Sequence, residues 1–377
     1  MAFYPCALRL FPLNESLLSA GISMTPLHSE LTAPAIGPAS SAPPAGSFPP
    51  YPTSWYFFGT MSELQNGPMS REIFGQRLVA FRTESGVVSV MDARCCHFGT
   101  DLGKGRVVGE AIQCPYHHWE FGTNGYCTRI PAGDAIPTFA RQRCYPTAER
   151  HGYLFVFNAR AALFPLPFYE SENPDDLICS TPHEAILDCS WYLIGANAFD
   201  LQHYRAAHDR VLLADPEIDC PTPYSRRAAA RFGVSGNSLQ DRLTRLVAGP
   251  EASLTLTDYC GNMMLATARF RRACSYGLIM TQPLGEHRVI VRLMVMKRRS
   301  RNPLLRLFYD RFSVTIRKFF FRNFLLADAA RLAGVRYHPG RLIPADRYLK
   351  EYFQWLAAAS QSGPSPSTHP QPIHSES

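Results

Sequence analysis

Two short segments combine cysteine and histidine at spacings that suit a metal site. The first is Cys95-Cys96-His97, and the second begins after sixteen intervening residues with Cys114 and contains His117. Zinc fingers usually pair cysteine with cysteine and histidine with histidine, whereas each segment here supplies one of each. Mixed pairs suit a [2Fe-2S] cluster in which two thiolates hold one iron and two imidazoles the other. We predict that Cys95, His97, Cys114 and His117 hold such a cluster, with a structural zinc site as the alternative.

A second group of potential ligands lies on a helix predicted over residues 191–208. At about 100° per residue, His203 and His208 would lie about 140° apart, so the helix must be distorted or end there to bind one ion. Asp200 and His203 share a face, which allows the carboxylate to accept a hydrogen bond from the imidazole. His203 and His208 are therefore candidate metal ligands, and Asp200 is a candidate for orienting the first of them.

The elements that carry the first segment are short β-rich runs separated by glycine-bearing turns. They predict a compact all-β domain, with strands over residues 77–82, 87–91, 111–114 and 153–158. A second domain combines an antiparallel meander with helices. Its strands are predicted over residues 253–258, 263–270, 276–281 and 289–296, and its later helices over 304–332 and 345–359.

Composition divides the chain into four parts. Residues 33–52 are Pro, Ala, Gly or Ser at seventeen of twenty positions, which predicts a disordered leader over residues 1–50. The first domain is expected over 51–160, the second over 161–359, and a disordered tail over 360–377. Because the first domain is predicted to be all-β and the second to combine a sheet with helices, the predicted fold class is α+β.

The chain has 377 residues and a net charge of +7, and its charge is concentrated in one place. Residues 297–322 contain nine basic residues and one acidic residue, so the rest of the chain is nearly neutral. One such segment without a DNA-binding motif favours local docking and argues against nucleic-acid binding. Eleven cysteines are too few for a disulfide scaffold, and no apolar run could cross a bilayer. We expect a reducing cytosolic compartment. A peripheral membrane contact through residues 304–322 is one expected function of the basic segment.

The first domain resembles the Rieske domain of Rieske non-heme iron oxygenases. The similarity lies in Cys95-Cys96-His97-Phe98-Gly99 and in Cys114-Pro115-Tyr116-His117-His118-Trp119. Cys96 stands where this family commonly has proline, and His118 stands where it commonly has glycine. We interpret both as packing residues beside the ligands.

The second group resembles the D-x-x-H-x-x-x-x-H motif of the same family's catalytic domain. In that motif two histidines and a distant carboxylate bind one Fe(II), which leaves open positions for dioxygen. The candidates for the carboxylate are Asp310, Asp328 and Asp346. The resemblance favours Asp328 as the third iron ligand, with an ion pair to Arg331 or Arg322 as the alternative role. It implies that Asp200 bridges to a cluster histidine of a neighbouring subunit in a homotrimer. Asn197 is a further candidate for the lining of the iron site, although capping or packing is an equal alternative.

The resemblance implies the terminal oxygenase (alpha) subunit, with a Rieske domain followed by a catalytic domain of one large antiparallel sheet and covering helices. The implied cofactors are a [2Fe-2S] cluster and Fe(II), with dioxygen as co-substrate. Electrons would come from a ferredoxin or reductase and indirectly from NAD(P)H. A protein that only transfers electrons, without catalytic iron, is the alternative of another class.

The substrate is expected to be a hydrophobic small molecule. The segments Trp55-Tyr56, Phe81-Arg82-Thr83, Asp92-Ala93, Gly125-Tyr126-Cys127 and Ile130-Pro131 look most like the branch of steroid 9α-hydroxylases and cholesterol 7-desaturases. This resemblance implies hydroxylation or desaturation of a steroid-like compound. Aromatic-ring dioxygenation and O- or N-demethylation are alternatives, because they would use the same iron.

Overall fold

The computed structural model describes residues 41–208, 210–236, 239–247 and 249–361. Most of the predicted leader, residues 1–40, and most of the predicted tail, residues 362–377, lie outside the described residues.

The first domain consists of three small antiparallel sheets. In spatial order these are β1-β11-β10, β2-β3-β4-β9 and β5-β6-β7-β8. The strands are β1 (Trp55–Thr60), β2 (Met69–Ile73), β3 (Gln76–Arg82), β4 (Val88–Asp92), β5 (Arg106–Val108), β6 (Ala111–Gln113), β7 (Glu120–Gly122), β8 (Cys127–Arg129), β9 (Cys144–Tyr145), β10 (Thr147–Arg150) and β11 (Tyr153–Phe157).

The second domain is built on one antiparallel sheet, to which nine strands of the described chain belong. The strands are β12 (Leu177–Cys179), β13 (His183–Leu187), β14 (Arg210–Leu212), β15 (Glu217–Thr222), β16 (Ser225–Val234), β17 (Glu251–Tyr259), β18 (Met263–Phe270), β19 (Cys274–Pro283) and β20 (Val289–Arg298). The main path runs β12-β20-β19-β18-β17-β16-β14, while β13 pairs with β20 and β15 pairs with β16.

Five helices accompany this sheet, and none of them could cross a membrane, judged over the described residues. They are α1 (Tyr192–Ala196), α2 (Leu201–His208), α3 (Leu239–Val247), α4 (Pro303–Leu332) and α5 (Arg347–Ala359). Short 3-10 turns occur at Ala45–Ser47, Glu63–Asn66, Leu102–Lys104, Pro174–Asp176, Pro339–Arg341 and Pro344–Asp346. The α+β fold class predicted from the sequence is confirmed. The predicted helix over 191–208 is divided into α1 and α2.

The two faces of the large sheet have different neighbours. On one face, Gly277 of β19 lies against Phe321 of α4, and Asp258 of β17 accepts a hydrogen bond from Tyr352 of α5. The first domain contacts the sheet elsewhere. Asn262, between β17 and β18, donates through Nδ2 to the carbonyl oxygen of Trp55 in β1 at 2.9 Å. The amide of Gln282 likewise donates to the carbonyl oxygen of Glu72 at 3.0 Å. These bonds fix the first domain to the sheet, whose helical face carries the second group of ligands.

The structure differs from the predicted leader in residues 41–50. Phe48 is buried and stacks on Tyr192 with ring centroids 4.2 Å apart. The carbonyl oxygen of Pro49 accepts a hydrogen bond from Trp191 Nε1 at 3.1 Å. Composition misses this contact because one buried aromatic residue can anchor a segment that otherwise lacks apolar side chains. This part of the predicted leader therefore packs on α1 and α5.

Replacing Phe48 by alanine is expected to lower the free energy of unfolding by about 3 kcal/mol, since a buried aromatic side chain is lost. Chemical denaturation followed by fluorescence measures the change. Phe319→Ala, which shortens an exposed side chain, is the matched control and should alter stability by about 0.5 kcal/mol or less. Equal stability of the Phe48 variant and the parent would contradict the observed packing.

Candidate functional site

Two loops of the first domain carry the four predicted cluster ligands. Cys95 follows β4, and its N–H donates to the carbonyl oxygen of Thr100 at 2.9 Å. Cys114 follows β6 directly, and its N–H donates to the carbonyl oxygen of Trp119 at 2.8 Å. These bonds close each loop into a compact turn, so that the strands fix the positions of both cysteines.

The ligand side chains are arranged as two like pairs. The imidazoles of His97 and His117 lie side by side, with ring centroids 4.6 Å apart, and the thiols of Cys95 and Cys114 are in hydrogen-bond contact. Among the described residues, three or more potential ligand atoms that all lie within 4.8 Å of one another occur in one place, and none of them belongs to Cys95, His97, Cys114 or His117. A tetrahedral zinc ion would need all four atoms around one centre. The paired arrangement instead fits a two-iron cluster.

The polar atoms of the site also fit a cluster. Both cysteines are buried, and this burial raises the pKa of the Cys114 thiol. The N–H groups of Tyr116 and His117 donate to the Cys114 sulfur and act in the opposite direction. His97 Nδ1 is buried and has no hydrogen-bond partner, as expected for a nitrogen that holds a metal. The His97 ring stacks on Trp119 at 4.3 Å, which fixes its orientation. His117 lies at the surface.

The two departures from the family pattern have different consequences. His118 adopts a left-handed conformation with φ of 59°, which explains why glycine is common there. Its side chain is exposed. Cys96 is half-buried, and its N–H, which a proline would lack, donates to Gln142 Oε1 at 3.0 Å. The interpretation of Cys96 and His118 as packing residues stays a prediction.

Gln142 is a supporting residue that motif analysis missed, because a single glutamine carries no spacing signal. Its amide nitrogen donates to the carbonyl oxygens of Asp92 and Arg94, at 2.9 and 2.7 Å. With the bond from Cys96, three backbone groups of the first ligand loop are held by one buried side chain.

Gln142→Leu is expected to lower the stability of the first domain by roughly 2–4 kcal/mol, because three backbone groups lose their partner. The cluster loop should loosen, so purified protein should contain less iron and acid-labile sulfide. Gln65→Leu, at an exposed position, provides the control. A full complement of iron and sulfide in the Gln142 variant, with unchanged stability, would contradict this role.

The second group of ligands converges in the second domain. Asp328 Oδ1 lies 3.0 Å from His203 Nε2 and 2.8 Å from His208 Nε2, and the two imidazole nitrogens are 3.2 Å apart. Adjacent ligands of an octahedral ion with bonds of about 2.1 Å would be about 3.0 Å apart. Burial opposes ionisation of Asp328, but hydrogen bonds from both histidines hold the pKa of this carboxyl below its ordinary value. The three side chains therefore fit one divalent cation.

The end of α2 explains how both histidines reach one point. His203 lies within the helix, whereas His208 is its last residue and can turn toward α4. Asp200 lies just before the helix, and its Oδ1 accepts a hydrogen bond from the backbone N–H of His203 at 3.1 Å. The predicted bond from the His203 imidazole to Asp200 is therefore not formed, because the carboxylate caps the helix instead.

The other carboxylate candidates are bound elsewhere. Asp310 is buried in an ion pair with Lys297, and Asp346 accepts a hydrogen bond from Gln202 at 2.7 Å. Among the described contacts, Asp328 forms no ion pair with Arg331 or Arg322, which was its alternative role. Asn197 is half-buried at the carboxyl end of α1, and its role at the iron site stays a prediction.

A buried carboxyl group positions the helix that precedes these ligands. Asp258 is 1% exposed and accepts hydrogen bonds from Tyr352 Oη and from the N–H of Gly261. Gly195 of α1 packs so closely here that a Cβ atom would lie 2.1 Å from the Tyr352 oxygen. Burial raises the pKa of Asp258 to about 7. The contact of α1 with α5 therefore depends on a carboxyl group that titrates near neutral pH.

Stability is expected to fall as the pH rises from about 4 to about 7, because folded Asp258 keeps a proton that the unfolded chain releases near pH 3.9. Asp258→Asn cannot titrate and should reduce this fall by about 2 kcal/mol between pH 5.5 and 7. Tyr352→Phe is the matched variant and should extend the fall to higher pH, since it removes a bond to the ionised form. Urea denaturation across this pH range measures both effects. Parallel pH profiles for all three proteins would contradict this prediction.

Comparisons with known proteins agree with this geometry. Residues 54–140 match the model of the Rieske [2Fe-2S] domain. The oxygenase component of 3-ketosteroid-9-alpha-monooxygenase from Rhodococcus rhodochrous is 42% identical over 105 residues, which cover 28% of this chain and 27% of that protein. Cholesterol 7-desaturase nvd from Drosophila melanogaster is 32% identical over 168 residues, or 43% and 39% of the two chains. These matches span less than half the length of either relative.

The likeness of folds extends further. The solved structure of the Pseudomonas putida CBB5 NdmA QL mutant with theobromine has a TM-score of 0.60 at 19% sequence identity. The alignment covers 81% of this chain and 89% of that one.

Together, the paired ligands and the family match define the first domain as a Rieske [2Fe-2S] domain. The chain as a whole resembles the Rieske terminal oxygenases, in sequence through that domain and in fold over four fifths of its length.

Proposed function

We propose that this chain is the oxygenase component of a Rieske non-heme iron enzyme, an oxidoreductase that hydroxylates or desaturates a hydrophobic substrate. The observation that carries this proposal is the convergence of His203, His208 and Asp328 within one chain that also holds a Rieske domain. A protein that only transfers electrons would not need this second site. The alternative of another class is therefore less well supported.

The residues of the second site prepare it for a cation. Asp328 is held ionised, and the Nε2 atoms of both histidines face its Oδ1. When bound, Fe(II) would supply open coordination positions at which dioxygen is activated. Phe324 lies beside His208, with ring centroids 5.0 Å apart, and Phe321 covers Gly277 of the sheet. The Phe324 ring makes the surroundings of His208 apolar, which favours an apolar substrate.

The proposed electron path begins outside the chain, with a ferredoxin or reductase that draws on NAD(P)H. We propose a homotrimer in which the cluster of one subunit meets Asp200 of the next. Exposed aromatic residues around the cluster ligands support this contact, since Phe98 is 72% and Tyr116 61% exposed beside His117. A rim of this kind is typical of surfaces that bind another protein.

The proposed substrate class is steroid-like, because the two relatives described above are named for a ketosteroid and for cholesterol. Aromatic-ring dioxygenation and O- or N-demethylation would use the same ligands and are tested alongside it.

The test is a single turnover with a panel of sterols and aromatic compounds. Protein reduced without oxygen is mixed with each compound and dioxygen, and the products are weighed by mass spectrometry. Addition of one oxygen or loss of two hydrogens in a sterol would support the proposal. Addition of two oxygens to an aromatic ring or loss of a methyl group would replace the substrate class. Reoxidation of the cluster without change to any compound would contradict the proposed class.

A further inference from the structure

The outer side of α4 is apolar along most of its first half. Leu304, Phe308 and Phe312 are 72%, 74% and 64% exposed, and their spacing of four residues places them on one face. Leu305, Ile316 and Phe319 extend this face, and Leu307 and Tyr309 are exposed at its margins. The opposite side carries the buried Asp310 and Val314 and packs on the large sheet. The helix is therefore apolar on two sides, of which only one is used within the described chain. We call the exposed side the outer α4 face.

Charge on this segment is divided between the fold and the solvent. Six of its nine basic residues bond within the chain: Lys297 to Asp310, Arg298 to Glu172, Arg299 to the Asp175 carbonyl, Arg306 to the Ser300 carbonyl, Arg317 to the Cys274 carbonyl and Lys318 to Thr181. Arg301, Arg306, Arg311 and Arg322 are exposed. The segment's single acidic residue, Asp310, is buried. The surface that this segment offers is therefore both apolar and cationic.

We propose that the outer α4 face binds an anionic lipid surface, with the helix lying parallel to it. Leucine and phenylalanine side chains would enter the acyl region while the arginines reach the headgroups. Cationic side chains near such a surface match its negative charge. A second copy related by a two-fold axis would bring the same arginines together, so its contact would be opposed by repulsion. An acidic protein would match the arginines but not a convex row of long apolar side chains.

The position of the outer α4 face gives this binding a use, and this step rests on the proposed function. The same helix continues to Asp328, and the half-buried Phe320, Phe321 and Phe324 lie between the two. Phe324 contacts the ring of His208. Lipid binding would therefore hold the helix that carries Asp328 at the membrane, in which a hydrophobic substrate dissolves.

Co-sedimentation of the full chain with phosphatidylcholine vesicles, with and without phosphatidylglycerol, tests the lipid contact without any substrate. The parent should bind the anionic vesicles, and added salt should weaken this binding. Replacing Arg301, Arg311 and Arg322 by glutamine should weaken it by on the order of 100-fold. Phe308→Ser with Phe312→Ser should weaken it by at least about 10-fold.

The matched controls remove exposed residues of the same kinds elsewhere. These are Leu284→Ser with Ile343→Ser, and glutamine at Arg82, Arg160 and Arg288. They should leave vesicle binding unchanged. Equal binding to neutral vesicles, or equal loss in the controls, would overturn the proposal. An absence of vesicle binding would also overturn the proposal. In that case, loss of self-association in the phenylalanine variant would identify a second copy as the occupant, and loss of binding to an acidic electron-transfer protein would identify that protein. Vesicle binding without change to any compound of the sterol and aromatic panel would support the lipid contact while contradicting the proposed function.

Discussion

Asp328→Ala is expected to remove the iron of the second site and to leave the cluster in place. The variant should contain two irons per chain instead of three and keep the visible absorption of the cluster. Turnover should fall by roughly 1,000-fold or more, because two histidines alone do not hold iron in an open, three-ligand geometry. Metal analysis and single-turnover product formation measure these effects.

Asp346→Ala is the matched control for this experiment. Asp346 was an equal candidate by position in the sequence, but its carboxylate accepts a bond from Gln202. This variant should keep three irons. If the Asp328 variant kept full iron content and activity, the assignment of the second site would be wrong.

Asp200→Asn is expected to lower turnover by about 100-fold or more while both metal sites stay filled. Asparagine caps a helix as well as aspartate does, so the bond to the His203 N–H should survive. The lost property is the negative charge, on which the proposed bridge to a neighbouring cluster histidine depends. Stopped-flow absorption should show normal cluster reduction and slow reoxidation with dioxygen and substrate.

Asp200→Ala separates capping from bridging. It should lower stability by about 1 kcal/mol, whereas asparagine should not. If Asp200→Asn turned over at the parent rate, Asp200 would be a helix cap and nothing more.

Local patterns predicted the elements of this fold well. Strand β18 spans the predicted residues 263–270, and α4 begins one residue before the predicted start. The apolar run of β18 starts just after Gly261, and α4 starts at Asn302-Pro303, so start signals for both stand in the sequence itself. The break between α1 and α2 was expected only as a distortion near His203 and His208. It falls earlier, where the carboxylate of Asp200 begins a new helix.

Contacts between distant segments were harder to predict. Asp328 lies 125 residues from His203, and only the family resemblance distinguished it from Asp310 and Asp346. Gln142 supports a loop 46 residues away without any motif. The basic segment looked like one cationic surface, yet six of its nine charges bond within the fold. In each case the partner is set by packing between separate segments of the same domain, which local sequence patterns do not reveal.

The most direct test of this account is the ratio of iron to acid-labile sulfide in the purified parent chain. A Rieske cluster beside a mononuclear iron predicts three irons and two sulfides per chain. Electron paramagnetic resonance of the reduced protein should then show the cluster signal, and a chelator should remove one iron without altering it. Two irons and two sulfides per chain, with no third iron taken up on reconstitution with Fe(II), would contradict the proposed enzyme. Zinc without sulfide would contradict it as well.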